Sequence, residues 1–315
     1  MTTIPKEQLD QQIESLRPWR YTHRHGDIVI KGDSKAAGAF DAYGRDLMLR
    51  IPQALLQGQR FADLRAIDLG CLEGHYSDVL CSLGFKEVVS IDLSEGHVRR
   101  AEFLLKQLKG HANATVLQGN VSDERLMGSL GKFNLVLFHG LLYHLKDPLK
   151  AFDILDGLMP KDGPFFLLLS TQYRCSFGAL VSPGPSGEMQ VKPLKSSGAP
   201  GALYSPVDGS VFERCSFILN PAAVYAALKL YGYQTIVAYD DPGGTKESFH
   251  SNIVAAKKLI PGLAQGLNAS IAIPGVRFYD WDGRSVSGYH FDRRWRARVA
   301  RLTTRAARKV AEWLR

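Results

Sequence analysis

The chain has 315 residues, enough for one large domain with additions, and its 45% hydrophobic and 22% charged residues are ordinary for a globular protein. Its formal net charge is +8, and residues 293–315 account for all of it, with eight Arg and one Lys against one Glu. The rest of the chain carries 30 basic and 30 acidic side chains, so the charge describes one tail and excludes a strongly basic body.

The cysteine pattern and the apolar runs indicate a cytoplasmic location. The four cysteines are Cys71, Cys81, Cys175 and Cys215. They have no close pairing pattern, which favours a reducing compartment over a disulfide framework or a zinc site. No apolar run is long enough to span a bilayer, and the first residues do not resemble a signal peptide.

The N-terminal part predicts two helices, residues 3–16 and 41–56, separated by a segment without helical period. That segment, residues 18–27, is aromatic and basic and contains Trp19 and Tyr21. It either folds over a bound cofactor, with Trp19 and Tyr21 as substrate-binding residues, or serves as an edge element that completes the core.

The chain is organised around residues 66–92, which predict a strand, a glycine turn, a helix and a second strand ending at Asp92. Gly70 lets the backbone turn sharply and lets a ligand approach without meeting a Cβ, and Gly74 lets the helix start lie against strand and ligand. Asp92 is placed to accept hydrogen bonds from two ribose hydroxyls. This layout binds an adenosine-bearing cofactor at the carboxyl ends of parallel strands.

The spacing of the glycines distinguishes between cofactors. A dinucleotide site requires G-x-G-x-x-G, so that backbone N–H groups meet a pyrophosphate. Here the turn is D-x-G-x-x-x-G, counted from Asp68. A nicotinamide dehydrogenase is therefore disfavoured.

Strands and helices alternate through the remaining central region. The predicted elements are helix 94–109, strand 114–117, strand 133–138, helix 147–159, strand 164–170 and helix 218–231. Strands over 234–239 and 252–256 are joined by a short connection, which predicts an antiparallel pair at the sheet edge. The alternation predicts an α/β fold, a parallel sheet with helices on both faces.

Three motifs within residues 66–170 resemble those of the class I S-adenosylmethionine-dependent methyltransferases. DLGCLEGHY resembles motif I, VVSIDLS resembles motif II, and FNLVLFHGLLYHLKDPLKAF resembles the segment after the fourth strand. The resemblance implies a Rossmann-like, seven-stranded, mostly parallel sheet with S-adenosyl-L-methionine as cofactor. The cofactor-binding residues that we expect are Asp68, Gly70, Cys71, Gly74, Asp92, Leu93, Asn120, Val121 and Phe138.

Methyl transfer from a sulfonium is an in-line displacement with a neutral leaving group, so such an enzyme mainly orients its reactants and excludes water. An oxygen or nitrogen acceptor also needs a base. The loop after the fourth strand offers His139, Tyr143 and His144 as catalytic candidates, although in this motif His144 is often structural or cofactor-facing. The His23–His25 and His139–His144 spacings place neither pair on one helix face, so we predict no metal site.

Two parts lie outside the minimal fold, a lid-like insertion over 171–217 and a C-terminal extension over 259–315. The predicted divisions are an N-terminal cap over 1–60, a cofactor-binding domain over 61–258 that includes the insertion, and the C-terminal extension. The insertion is too long for an idle connection, and its Tyr173 and Arg174 are further candidates for substrate binding.

The C-terminal extension predicts a basic amphipathic helix over Arg294–Trp313. Its apolar stripe consists of Trp295, Val299, Leu302, Ala306, Val310 and Trp313. Arginines beside this stripe suit docking on the protein itself or on a second subunit, an anionic membrane surface, or nucleic-acid phosphates. Nucleic acid is the least favoured of the three.

These features together predict a methyltransferase that acts on a small-molecule or glycan-type acceptor. LYH followed by proline also resembles the tRNA wobble-uridine carboxymethyltransferases and methyltransferases found with polysaccharide and natural-product genes. A tRNA-modifying transferase is therefore one alternative, although it requires a continuous basic surface around the cleft. A non-catalytic partner subunit that binds the cofactor is the other, and a homo-oligomer is compatible with each interpretation.

Overall fold

A computed structural model of the chain describes residues 5–33, 37–145, 147–160, 162–172, 179–183, 189–193, 202–205, 216–219, 221–239 and 250–281. The N-terminal part contains helix α1 (Lys6–Ser15), strands β1 (His23–His25) and β2 (Ile28–Ile30), and helix α2 (Ala37–Leu55). The two helices confirm the predicted ones. The β1–β2 hairpin was not predicted, because three-residue strands are too short to show a period of two.

The central region alternates strands and helices as predicted, with helix α5 as an additional element that was not predicted. Its elements are β3 (Arg65–Leu69), α3 (His75–Ser82), β4 (Glu87–Asp92), α4 (Glu95–Glu102), β5 (Ala114–Gln118), α5 (Glu124–Ser129), β6 (Leu135–His139), α6 (Lys150–Gly157) and β7 (Phe166–Gln172). Helix α4 continues as a wider π-helical turn over Phe103–Leu108. Strands β3 to β7 of this region all pair in parallel.

The described parts of the insertion form two antiparallel strand pairs. These are β8 (Ala179–Pro183) with β9 (Met189–Pro193), and β10 (Ala202–Ser205) with β11 (Ser216–Leu219). Strand β11 runs beside a short 3₁₀ helix, Leu142–His144, that follows β6. The insertion therefore approaches the loop that carries the predicted catalytic residues.

The C-terminal elements complete the sheet. They are α7 (Pro221–Leu230), β12 (Thr235–Tyr239), β13 (His250–Ala256), α8 (Leu263–Ser270) and β14 (Phe278–Asp280). The strand order is β14-β12-β13-β7-β6-β3-β4-β5, with β13, β12 and β14 antiparallel. The predicted seven-stranded sheet was wrong by one strand, since β14 adds three residues to the edge after the expected last strand.

Both faces of the sheet are buried, as expected for parallel strands covered by helices. Ile67 and Ile91 face a core that includes residues of α6 and α7. Ala66 and Val88 alternate with them and face a second core with residues of α2, α3 and α8. The carboxyl ends of β3, β4, β5 and β6 meet at one edge of this sheet, and the candidate site lies there.

Candidate active site

The turn after β3, residues 70–74 and called the glycine turn below, has the backbone that the sequence predicts. Gly70 and Gly74 both have positive φ, 77° and 78°. A Cβ at Gly70 would lie 3.1 Å from Leu141, and a Cβ at Gly74 would lie 3.2 Å from Leu105. The Gly70 amide donates to the carbonyl oxygen of Ile91 at 2.8 Å, which ties the turn to β4. Both positions therefore require glycine.

Asp92 lies at the end of β4 and holds the far side of the glycine turn. Its Oδ2 accepts the Leu72 N–H at 2.9 Å, and its Oδ1 accepts the Ser94 N–H at 2.9 Å. The Nδ1 atom of His97 lies 3.0 Å from Oδ1. The sequence prediction did not include His97. A carboxylate beside a turn that begins and ends with glycine fits the ribose of an adenosine-bearing cofactor.

Asp68 is buried beneath the glycine turn rather than exposed to a ligand. Ser77 donates its hydroxyl to Asp68 Oδ2 at 2.6 Å, which ties the end of β3 to helix α3. Burial, with a smaller contribution from the charge of Asp92, raises the pKa of Asp68 to about 7. This carboxyl therefore supports the turn from inside.

The other predicted cofactor residues differ in accessibility. The Gly119 amide donates to the Asp92 carbonyl oxygen at 3.0 Å, which brings the loop after β5 beside the end of β4. Leu93 and Asn120 are exposed at this edge. Asn120 Oδ1 accepts the Ser122 N–H at 2.8 Å and shapes the loop. The predicted residues that are buried here are Cys71, Val121 and Phe138.

Glu73, in the middle of the glycine turn, binds the N-terminal strap, which we define as residues 17–33. Its Oε2 accepts the Arg20 N–H at 2.8 Å, and its Oε1 accepts the Tyr21 N–H at 2.6 Å. His23 Nε2 lies 3.0 Å from Oε1, and both side chains are buried. The sequence carries no local signal for this contact, because its partners lie 50 to 53 residues earlier.

The structure separates the two predicted substrate residues of the strap. Trp19 has no exposed surface, donates its indole N–H to the Ile13 carbonyl oxygen at 3.1 Å, and packs against Phe103. It therefore anchors the strap in the core, where no substrate reaches it. Tyr21 lies beside the glycine turn.

Aromatic rings connect the strap to the end of β6. Tyr21 stacks on His75, with ring centroids 4.2 Å apart and planes at 15°. The ring centroid of Tyr76 lies 5.1 Å from that of His75 and 5.3 Å from that of His139, and the Tyr76 ring is edge-on to both. Burial is the main cause that lowers the pKa of His75 to about 2, so this ring is neutral. The predicted catalytic residue His139 thus adjoins the strap through two intervening rings.

Tyr143 and His144 lie together in the His-Tyr loop, residues 139–145, with ring centroids 4.3 Å apart. Burial raises the pKa of Tyr143. Burial and then the positive charge of Arg20 lower the pKa of His144. The ring contacts from Tyr21 through His75 and Tyr76 to His139 bring the strap to this loop.

Other predictions lie outside the described residues or concern absences. Tyr173, Arg174 and the Arg294–Trp313 helix fall outside the described ranges, so their roles stay predictions. Within the part of the chain that the structure describes, no group of three or more His, Cys, Asp or Glu side chains could hold a metal ion. None of the helices in that part is long and apolar enough to cross a membrane.

The candidate site lies in a segment of the chain that matches a known protein family. Residues 61–173 match the model of a family described as a methyltransferase domain. The matched segment contains the glycine turn, Asp92 and the His-Tyr loop.

Curated relatives match a similar part of the chain. The tRNA U34 carboxymethyltransferase of Cronobacter sakazakii is 26% identical over 168 residues, 51% of this chain and 46% of the relative. The enzyme of the same name from Mannheimia succiniciproducens is 30% identical over 173 residues, 52% of this chain and 48% of the relative. This chain spans about half the length of the curated relatives that it matches.

A solved structure covers more of the chain. The N-terminal domain of EvdMO1 with S-adenosylhomocysteine bound aligns with a TM-score of 0.63 and 19% identity, over 80% of this chain and 97% of that domain. At this identity the likeness concerns the fold.

Proposed function

Because residues 61–173 form a methyltransferase domain of the class I S-adenosylmethionine-dependent type, we propose that this chain methylates a small-molecule or glycan-type acceptor. The acceptor lies between the N-terminal strap and the His-Tyr loop. The observation that carries this proposal is the clasp at Glu73, which binds two strap amides and so holds Tyr21 in the row of rings that ends at His139 of the His-Tyr loop.

The surroundings of the loop favour a small acceptor. The strap adjoins the His-Tyr loop through the rings of Tyr21, His75, Tyr76 and His139, and strand β11 runs beside the 3₁₀ turn of the loop. Outside residues 293–315 the basic and acidic side chains balance, so the sequence offers no excess of positive charge for a long polyanion. A site bounded by two chain segments suits a single sugar ring or a molecule of similar size.

The cofactor supplies an electrophilic methyl group, and the residues of this chain orient the acceptor and take up its proton. The lowered pKa of His144 favours a neutral imidazole, which can accept a proton from an oxygen or nitrogen nucleophile. The raised pKa of Tyr143 keeps its hydroxyl protonated, so that it can donate a hydrogen bond to the acceptor. Both groups are partly buried, which limits the access of water to the transfer.

The names of similar proteins suggest two acceptor classes. The EvdMO1 domain was also solved in the presence of S-adenosylhomocysteine and D-fucose, with a TM-score of 0.63 to this chain and 19% identity. The curated relatives are tRNA enzymes, but they match about half of their length. We therefore place sugars first and tRNA second.

Calorimetric titration with S-adenosylhomocysteine tests the cofactor half of the proposal. We expect saturable binding to the wild type and none to Gly70→Arg, whose side chain would meet Leu141. Transfer of a labelled methyl group is then measured on a panel of free sugars, sugar phosphates and unmodified tRNA. Labelling of sugars supports the proposal, and labelling of tRNA alone overturns the acceptor class. A folded wild type that binds no cofactor overturns the methyltransferase function.

A further inference from the structure

The Asp92 carboxylate has fewer open acceptor positions than a ribose needs. A carboxylate offers about four lone-pair positions, two on each oxygen. Oδ1 accepts from Ser94 N–H and His97, and Oδ2 accepts from Leu72 N–H. Because a carboxylate only accepts, Nδ1 of His97 carries the hydrogen. One position remains, on Oδ2, whereas the two hydroxyls of a ribose need one position each.

The three donors to Asp92 differ in how easily they can move away from its carboxylate. The amides of Leu72 and Ser94 belong to the glycine turn and to the start of helix α4, so their positions are set by the backbone. His97 lies in the first turn of α4, and its side chain is 21% exposed. The imidazole can leave Oδ1 by rotation of the side chain without a shift of the backbone, so His97 is the donor that can yield to a ligand.

We propose that His97 competes with the cofactor ribose for Asp92 Oδ1, so that cofactor binding displaces the imidazole. His97 is thus a positioning residue that sets cofactor affinity through Asp92. The inference rests on the proposed function, because it requires Asp92 to bind the ribose. His97 is then an intramolecular donor that competes with the ribose, and it weakens the binding of any ligand that uses both ribose hydroxyls.

A pair of substitutions of similar size separates the hydrogen bond from the shape of the side chain. In His97→Asn, the side-chain amide places a donor where Nδ1 lies, whereas His97→Leu has nearly the same size and no donor. We expect His97→Leu to bind S-adenosylhomocysteine about five- to tenfold more tightly than wild type, because the competing charge-assisted bond is lost. His97→Asn should bind like the wild type.

Nucleosides that lack one hydroxyl make the test specific. Adenosine, 2′-deoxyadenosine and 3′-deoxyadenosine are titrated as competitors against bound S-adenosylhomocysteine. A ligand with one hydroxyl can use the open position on Oδ2, so the gain in His97→Leu should appear for adenosine and shrink for the deoxynucleosides. An equal gain for all three ligands, or none for S-adenosylhomocysteine, overturns the proposal. A wild type that binds no S-adenosylhomocysteine instead overturns the proposed function.

Discussion

Two buried carboxylates hold the glycine turn, and their partners come from different parts of the chain. Asp92 binds the amide of Leu72, 20 residues away, and its other partners follow within five residues. Glu73 binds the strap through Arg20, Tyr21 and His23, at separations of 50 to 53 residues. Asp92 therefore belongs to the cofactor unit itself, whereas Glu73 is a tertiary clasp that builds the acceptor side.

This difference predicts separate consequences for the two carboxylates. Loss of Asp92 should appear mainly as lost cofactor affinity, because the amides of Gly70 and Cys71 still donate to the Ile91 carbonyl oxygen and tie the turn to β4. Loss of Glu73 should appear mainly as lost stability and a released strap, because this buried carboxylate binds two strap amides and lies against the buried ring of His23. The predictions below test this separation.

The largest expected effect is on the stability of Glu73→Gln. The amide retains one acceptor oxygen and turns a donor toward N–H groups of the strap inside a buried site, so we expect a loss of about 3 kcal/mol or more in the free energy of unfolding. Urea denaturation measures it. Glu14→Gln on helix α1 is the control, because its ion pair with Arg17 is exposed and is worth less than about 1 kcal/mol. Equal losses in the two variants would contradict the clasp.

Asp92→Ala should give the next largest effect, this time in binding. We expect affinity for S-adenosylhomocysteine to fall about 100-fold or more, since the variant loses the ribose acceptors and the anchor of Leu72 N–H. Calorimetry measures it, with the exposed Asp63→Ala as control. If Glu73→Gln lost as much affinity as Asp92→Ala while both stayed folded, the separation between the two carboxylates would fail.

Asp68, the third carboxyl at the turn, should make stability depend on pH. Its pKa is about 7 in the folded protein against 3.8 in the reference state, so the folded state holds the proton more tightly. Stability from this group is therefore full below about pH 4 and is lost as the pH rises through about 7. Between about pH 5 and about pH 8 the wild type should lose about 2 kcal/mol relative to Asp68→Asn. A constant difference between the two proteins in urea denaturation across this range would exclude this role.

The smallest predicted effect concerns the ring of Tyr21. Tyr21→Leu removes the stack on His75 but keeps the amide that binds Glu73, so we expect a stability loss of about 1 kcal/mol. Affinity for S-adenosylhomocysteine should stay within about threefold of wild type, since the ring is absent from the Asp92 side. A loss as large as that of Glu73→Gln would show that the ring, and not the carboxylate, holds the strap.

Most of the α/β core can be predicted from the sequence, because local patterns mark its strands and its glycine turn. Short apolar segments marked β3, β4 and β6, and glycines marked the turn, where both have positive φ. The hairpin at His23–Ile30 and strand β14 were missed, because three-residue strands leave no measurable alternation. Trp19 was expected beside the substrate, but its ring fills a core site that only the folded chain creates.

Local sequence patterns suffice to predict the strand, glycine turn and acidic strand end of the candidate cofactor site, since backbone torsion preferences and apolar periodicity act over a few residues. They also predict that His139, Tyr143 and His144 lie on one loop. The contacts of Glu73 with the strap and of His97 with Asp92 are visible in the folded chain and not in the sequence. The partners of a buried carboxylate are whichever donors the fold brings within about 3 Å, and that distance is set by the packing of the whole chain.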